Sequence, residues 1–116
     1  MRHCSAVVVL LRAFHEGKGL LKSSQALLLQ LMTDTTTGSK RIKGLLPDGT
    51  VVAHKTGTSS TVNGVTAATN DVGLVTLPNG RHLAIAVFVS DSGANDAVRE
   101  EVIAKVAKAA WDEWSK

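Results

Sequence analysis

Apolar positions recur at helical spacing in the first and last thirds of the chain and switch to strand spacing between them. Over residues 5–16, Val7, Leu10, Leu11 and Phe14 share one helical face. Three successive valines lower the propensity there without breaking the pattern. Gly17 and Gly19 flank Lys18 in a turn that ends the helix. Ser23 or Ser24 can cap a second helix, in which Leu27, Leu28, Leu31 and Met32 form a wide stripe and Gln25 and Gln30 face outward. That pattern predicts a core helix. Thr33 to Gly38 reads as loop. Lys40 to Leu46 has basic residues at 40, 41 and 43 and apolar ones at 42, 45 and 46. One or two helical turns closed by Pro47-Asp48-Gly49 follow from it, with the basic side chains on a solvated face.

From Thr50 the period changes to two, and strands are predicted over 50–58, 66–77 and 82–89. Asn63-Gly64 and Pro78-Asn79-Gly80 supply the turns of an antiparallel meander. In the third strand Leu83, Ile85, Val87 and Val89 occupy one face and Ala84, Ala86 and Phe88 the other, so a sheet covered on both sides is expected. Asn95 or Ser92 can cap a last helix, 95–114. Its stripe of Val98, Val102, Val106 and Ala109 or Ala110, with Ile103 and Trp111 at the margin, is predicted to pack on the sheet. Arg99, Glu100, Lys105, Lys108 and Asp112 are placed on other faces, and Glu101 with Lys105 has the favoured i,i+4 order. The predicted fold class is α/β of the α+β kind: a three-stranded antiparallel sheet with the C-terminal helix packed on it, plus N-terminal helices. The 116 residues form one predicted domain, with a helical part over 1–46 and the sheet and last helix over 47–116.

Composition narrows the function classes. With 44% hydrophobic and 20% charged residues the chain is an ordinary globular one. Its formal charge of +3 is scattered and no stretch interleaves cations with aromatics, so nucleic-acid binding is not expected. Cys4 is the only cysteine, which rules out an intrachain disulfide. Met1-Arg2-His3 followed by apolar Ala6 to Leu11 looks superficially like a secretory leader, but Arg12 ends the run and no Ala-x-Ala cleavage site follows. Helix is predicted instead. No apolar run reaches the length of a membrane span, and His3, His15 and His82 have no ligand spacing with His54, so neither a membrane nor a metal partner is expected.

The candidate chemistry lies where the first strand ends. Thr50 to Ala53 is apolar strand pattern, and His54-Lys55-Thr56-Gly57-Thr58-Ser59 then brings a cation, hydroxyls and a glycine together. Lys55 offers a compact positive charge, Thr56 and Thr58 offer hydroxyl donors, and Gly57 would let a ligand lie close to the backbone. A small anion is the ligand such a rim suits. His54 is read as a structural strand residue and Asp71 as a buried or partnered carboxylate.

Lys55-Thr56-Gly57, with Leu45-Leu46-Pro47-Asp48-Gly49-Thr50 before it and Thr69-Asn70-Asp71-Val72-Gly73-Leu74, Leu77-Pro78-Asn79-Gly80-Arg81 and Ala86-Val87-Phe88-Val89-Ser90-Asp91-Ser92 after it, resembles the C-terminal part of class A serine β-lactamases, from about Ser24 to about Trp114. The resemblance implies part of the β-lactamase/transpeptidase-like fold, with Lys55, Thr56, Gly57, Thr58 and Ser59 binding a β-lactam carboxylate or side chain. The Thr58 backbone N–H would be one oxyanion donor. No cofactor is implied, and a periplasmic or secreted location is. The Ser-x-x-Lys nucleophile, the Ser-Asp-Asn motif and the loop with the deacylating Glu do not occur in the chain, so it is expected to be inactive alone. Two alternatives stay open: a piece of a penicillin-binding transpeptidase or carboxypeptidase, and a non-catalytic binding or complementation module. Strand 82–89 would border an N-terminal strand in the family fold, so association through it, with a second copy or with a missing N-terminal half, is expected.

Overall fold

The structure, a computed structural model, describes residues 2–116, with side chains from Cys4 onward, so His3 as a ligand lies outside it. Two helices, α1 (Arg2–His15) and α2 (Lys22–Asp34), and a 3-10 turn (Ile42–Leu45) lead into β1 (Val52–Thr58), β2 (Thr61–Val62), β3 (Val65–Thr76) and β4 (His82–Ser92), and α3 (Asp96–Trp114) closes the chain. β3 is the centre of the sheet. β1 pairs antiparallel on one side, from Val52 opposite Val75 to Thr58 opposite Thr69, and β4 on the other, from His82 opposite Thr76 to Ser92 opposite Thr66. β2 is a strand beyond the three expected. Asn63 and Gly64 both adopt positive φ, 51° and 76°, which gives the tight hairpin turn whose twist matches the strands. The pairing therefore runs to the tip, with the Thr61 and Thr66 hydroxyls 2.6 Å apart.

The sheet is covered on both faces, as its apolar β4 requires. On one side Ile42, Val52, Val75, Ile85 and Val87 pack against Ile103 and Ala107 of α3; on the other, Leu74 packs against Leu11 and Phe14 of α1. Asn95 caps α3 by accepting the Val98 N–H at 3.0 Å. Glu101 and Lys105 pair at 2.8 Å, and that hydrogen bond together with the nearby charge holds the Glu101 carboxyl below its ordinary range.

The stripes read from the sequence for α2 and α3 are corrected. α2 buries no residue: Leu27 and Leu31 are each about 60% exposed, at 60% and 61%. It packs against β1 and is tied to α1 through Gln25, which turns inward and donates from Nε2 to the Phe14 and His15 carbonyls at 2.8 and 3.1 Å. On α3 the inward face is Arg99, Ile103, Ala104 and Ala107, while Val98, Val102 and Val106 remain nearly half exposed. Small residues decide this rotation. A Cβ built on Gly44 would come within 3.1 Å of the Ala104 Cβ, so the 3-10 turn can sit against α3 only on its alanine side. Arg99 is tolerated inside because its guanidinium donates to the Thr69 hydroxyl at 2.9 Å, to the Ala94 carbonyl and to Asp96.

Candidate functional site

The site is built where β1 runs out toward Thr58. Val52, Ala53 and His54 are buried, and exposure begins at Lys55. His54 Nδ1 lies 2.9 Å from both Asp71 oxygens, with both side chains fully buried. Asp71 also accepts the Ile42 N–H at 3.2 Å. One carboxylate thus ties β1, β3 and the 3-10 turn together, which agrees with the structural roles read for His54 and Asp71 from the sequence. His54 Nε2 is buried with no partner among the described residues.

The residue before Ile42 is the one that the basic run concealed. Arg41 is buried, not solvated. Its Nη1 donates to the Gly57 and Asn70 carbonyls at 3.1 and 2.8 Å, Nη2 to the Thr58 hydroxyl at 2.7 Å, and Nε to Glu100 at 3.1 Å. Thr58 Oγ1 accepts from Arg41, so its own hydroxyl hydrogen is free to donate outward. Nothing in the local pattern separates Arg41 from exposed Lys40; only its place beside buried Ile42 hints at it.

Backbone geometry matters as much. The Ser59 N–H donates to the Ala68 carbonyl at 2.9 Å and the Thr76 N–H to the Val51 carbonyl at 3.0 Å. Because bonding to an antiparallel neighbour alternates along a strand, the odd-numbered residues of β1 face β3. The amides of Thr56 and Thr58 therefore point to the open edge, which no strand borders among the described residues. Lys55 is exposed there, with Nζ donating to the Thr56 carbonyl at 2.6 Å. Ser59 is engaged by the hairpin: its hydroxyl accepts the Ala68 N–H at 2.9 Å and donates to the Ser60 carbonyl at 3.2 Å.

Two glycines are forced by close approach. At Gly57 the neighbour is the Asn70 carboxamide, whose Oδ1 would lie 2.7 Å from an added Cβ; a residue of this chain makes the approach expected of a ligand. At Gly38, with φ of 73°, an added Cβ would meet Thr56 Cγ2 at 2.3 Å, so the loop before Arg41 closes directly over Thr56. Among the described residues no group of three or more His, Cys, Asp or Glu side chains is placed to hold a metal ion. No helix there is long and apolar enough to cross a membrane.

A lysine and two outward amides at the end of an edge strand, braced by a buried arginine on a two-faced antiparallel sheet, are the features by which the chain can be compared with known proteins. The model of the β-lactamase enzyme family matches residues 3–114. The chain belongs to that family, and more narrowly it corresponds to part of a class A β-lactamase. It is 54% identical to the extended-spectrum β-lactamase PER-1 of Pseudomonas aeruginosa over 102 residues, 88% of this chain and 33% of that protein. A β-lactamase of Bacteroides uniformis is 44% identical over 93% of this chain and 37% of its own length. The crystal structure of the TLA-1 extended-spectrum β-lactamase superposes with a TM-score of 0.95 at 56% identity, covering 97% of this chain and 41% of that one. The chain thus spans about a third to two-fifths of the length of the relatives it matches.

Proposed function

We propose that this chain forms the sheet-side wall of a β-lactam-binding site, in which Lys55, Thr56 and Thr58 hold the substrate carboxylate and the Thr58 N–H is one of two oxyanion donors. The observation that carries the reading is the outward Thr58 amide beside Lys55, with its hydroxyl hydrogen released for donation by Arg41. A fixed cation and preorganised donors bind an anion without reorganising when it arrives. Gly57 serves the wall indirectly, by admitting Asn70, and Ser59 holds the hairpin behind it.

Hydrolysis needs an activated serine and a base, and the chain has no Ser-x-x-Lys pair. Alone it binds and does not turn over; catalysis belongs to an assembly that includes a segment with those groups. The site of action is the periplasm or the medium, where the family's substrates are met. The test is nuclear magnetic resonance with benzylpenicillin, together with a nitrocefin assay. The Thr58 amide should shift on titration, the shift should shrink as salt rises and vanish in Lys55→Ala, and nitrocefin should stay intact. A shift unchanged in Lys55→Ala overturns the wall assignment; turnover abolished by Lys55→Ala overturns the inactivity.

A further inference from the structure

The Thr58 amide hangs on a glycine. A peptide unit is planar, so the Gly57 carbonyl and the Thr58 N–H turn together about the ψ of Gly57, and glycine has no Cβ to restrict that rotation. We propose that Asn70 is the positioning residue that supplies the restriction: its carboxamide, seated on Gly57, keeps the Thr58 N–H aimed at the open edge of β1. The inference rests on the wall reading for what the amide is aimed at, and on geometry alone for the clamp.

Two side chains hold the unit, one from each face of the sheet. Asp71 reaches the Ile42 N–H on the α3 side. Successive residues of a strand point to opposite faces, so Asn70 projects to the other face with Val72 and Leu74, which pack toward α1. Gly57 stands directly opposite Asn70 in the ladder, and Lys55 opposite Val72, so a Cβ on Gly57 would point to the face that carries the cation. The three atoms nearest to such a Cβ all belong to the Asn70 carboxamide, Oδ1 at 2.7 Å and Cγ and Nδ2 each at 3.3 Å. From the α3 side, Arg41 Nη1 donates to the carbonyls of Gly57 and Asn70 at 3.1 and 2.8 Å. The arginine fixes the carbonyl end of the unit and the carboxamide blocks the swing of the glycine Cα.

Asn70 is itself confined. Phe88 lies directly opposite it on β4, and side chains so paired have Cβ atoms about 4.5–5.5 Å apart, so ring and glycine bound the carboxamide from two sides. Thr56 supplies the contrast. Its amide points to the same edge but follows Lys55, whose own Cβ narrows ψ, so it needs no brace from across the ladder. A donor that stays aimed before its ligand arrives has no reorganisation left to make when charge develops.

The experiment is nitrogen-15 relaxation of the ligand-free full chain, read at the Thr58 and Thr56 amides. In Asn70→Ala the Thr58 order parameter should fall from the rigid value of about 0.85 toward about 0.6, while Thr56 keeps its native value. A merely structural role would loosen both amides or neither. Asn70→Asp keeps the shape of the side chain and should keep Thr58 rigid. Gly57→Ala should displace β1 from β3, and Asn70→Ala added to it should restore the native spectrum, because the methyl takes the space the carboxamide leaves. Circular dichroism checks that each variant is folded, and Asn70→Ser carries the same test should Asn70→Ala not fold. A benzylpenicillin titration separates the two readings: a Thr58 shift that survives Lys55→Ala sinks the wall assignment and leaves the relaxation result standing. A Thr58 amide as rigid in Asn70→Ala as in the native chain, equal loosening of Thr56, or a Gly57→Ala defect that Asn70→Ala does not relieve would each overturn the proposal.

Discussion

Replacing Asp71 tests whether the floor of the site depends on one carboxylate. Asp71→Ala removes the acceptor of two buried donors, the His54 Nδ1–H at 2.9 Å and the Ile42 N–H at 3.2 Å. Each orphaned donor costs about 1–3 kcal/mol, so the loss is about 2–6 kcal/mol before any cavity cost. Against a total of about 5–15 kcal/mol for a domain, that removes a large part of the stability and, at the upper end of the loss, all of it. Asp71→Asn should be much milder. Its carbonyl can still accept the Ile42 N–H, and its amide can donate to His54 if the ring proton moves from Nδ1 to Nε2. We expect about 1–2 kcal/mol there. Urea unfolding followed by Trp111 and Trp114 fluorescence and by circular dichroism measures both, at unchanged slope, and nitrogen shifts of the His54 ring report the tautomer. An alanine variant within about 1 kcal/mol of native, or an asparagine variant as damaged as the alanine one, would refute the hub.

Gly73→Ala should be at least as damaging by a different route. The added Cβ would lie 2.3 Å from the Ala53 carbonyl oxygen and 2.9 Å from the His54 Cα, so β1 must move off β3; loss of the cooperative urea transition checks this. On α2, Leu27→Lys with Leu31→Glu should change stability by less than about 0.5 kcal/mol, because neither leucine is buried. Weaker binding of an apolar dye at unchanged unfolding midpoint is the expected reading, and a drop of several kcal/mol would show that α2 packs where it is seen exposed.

The sheet was legible in the sequence because its signals are local. Alternation marked β4, Asn63-Gly64 marked the hairpin, and the double apolar face of 82–89 foretold helices on both sides. The helical stripes were legible as helices and not as orientations. Leu27 and Leu31 have the spacing of core residues, and the spacing says nothing of whether a partner is at hand. On α3 the valines carry more apolar surface than the alanines, yet close approach favoured the smaller residues at Ala104 and Ala107. At the site, Lys55 to Ser59 could be read directly since they are contiguous. Arg41 could not, because its four partners lie at Gly57, Thr58, Asn70 and Glu100, and only the folded chain brings them within reach.

The Gln25 clasp carries a consequence for the order in which the molecule comes apart. α2 is tied to the C-terminal end of α1 by two hydrogen bonds from one side chain, and it buries no residue fully, reaching the smaller core only through partly buried Met32. Its release exposes little that is not already wet, so it can open while the sheet and α3 stay closed. Amide exchange along α2 should then be fast and uncoupled from global unfolding. A protease that requires a few extended residues should make its first cut in this helix, and leave behind a resistant piece that begins near the 3-10 turn.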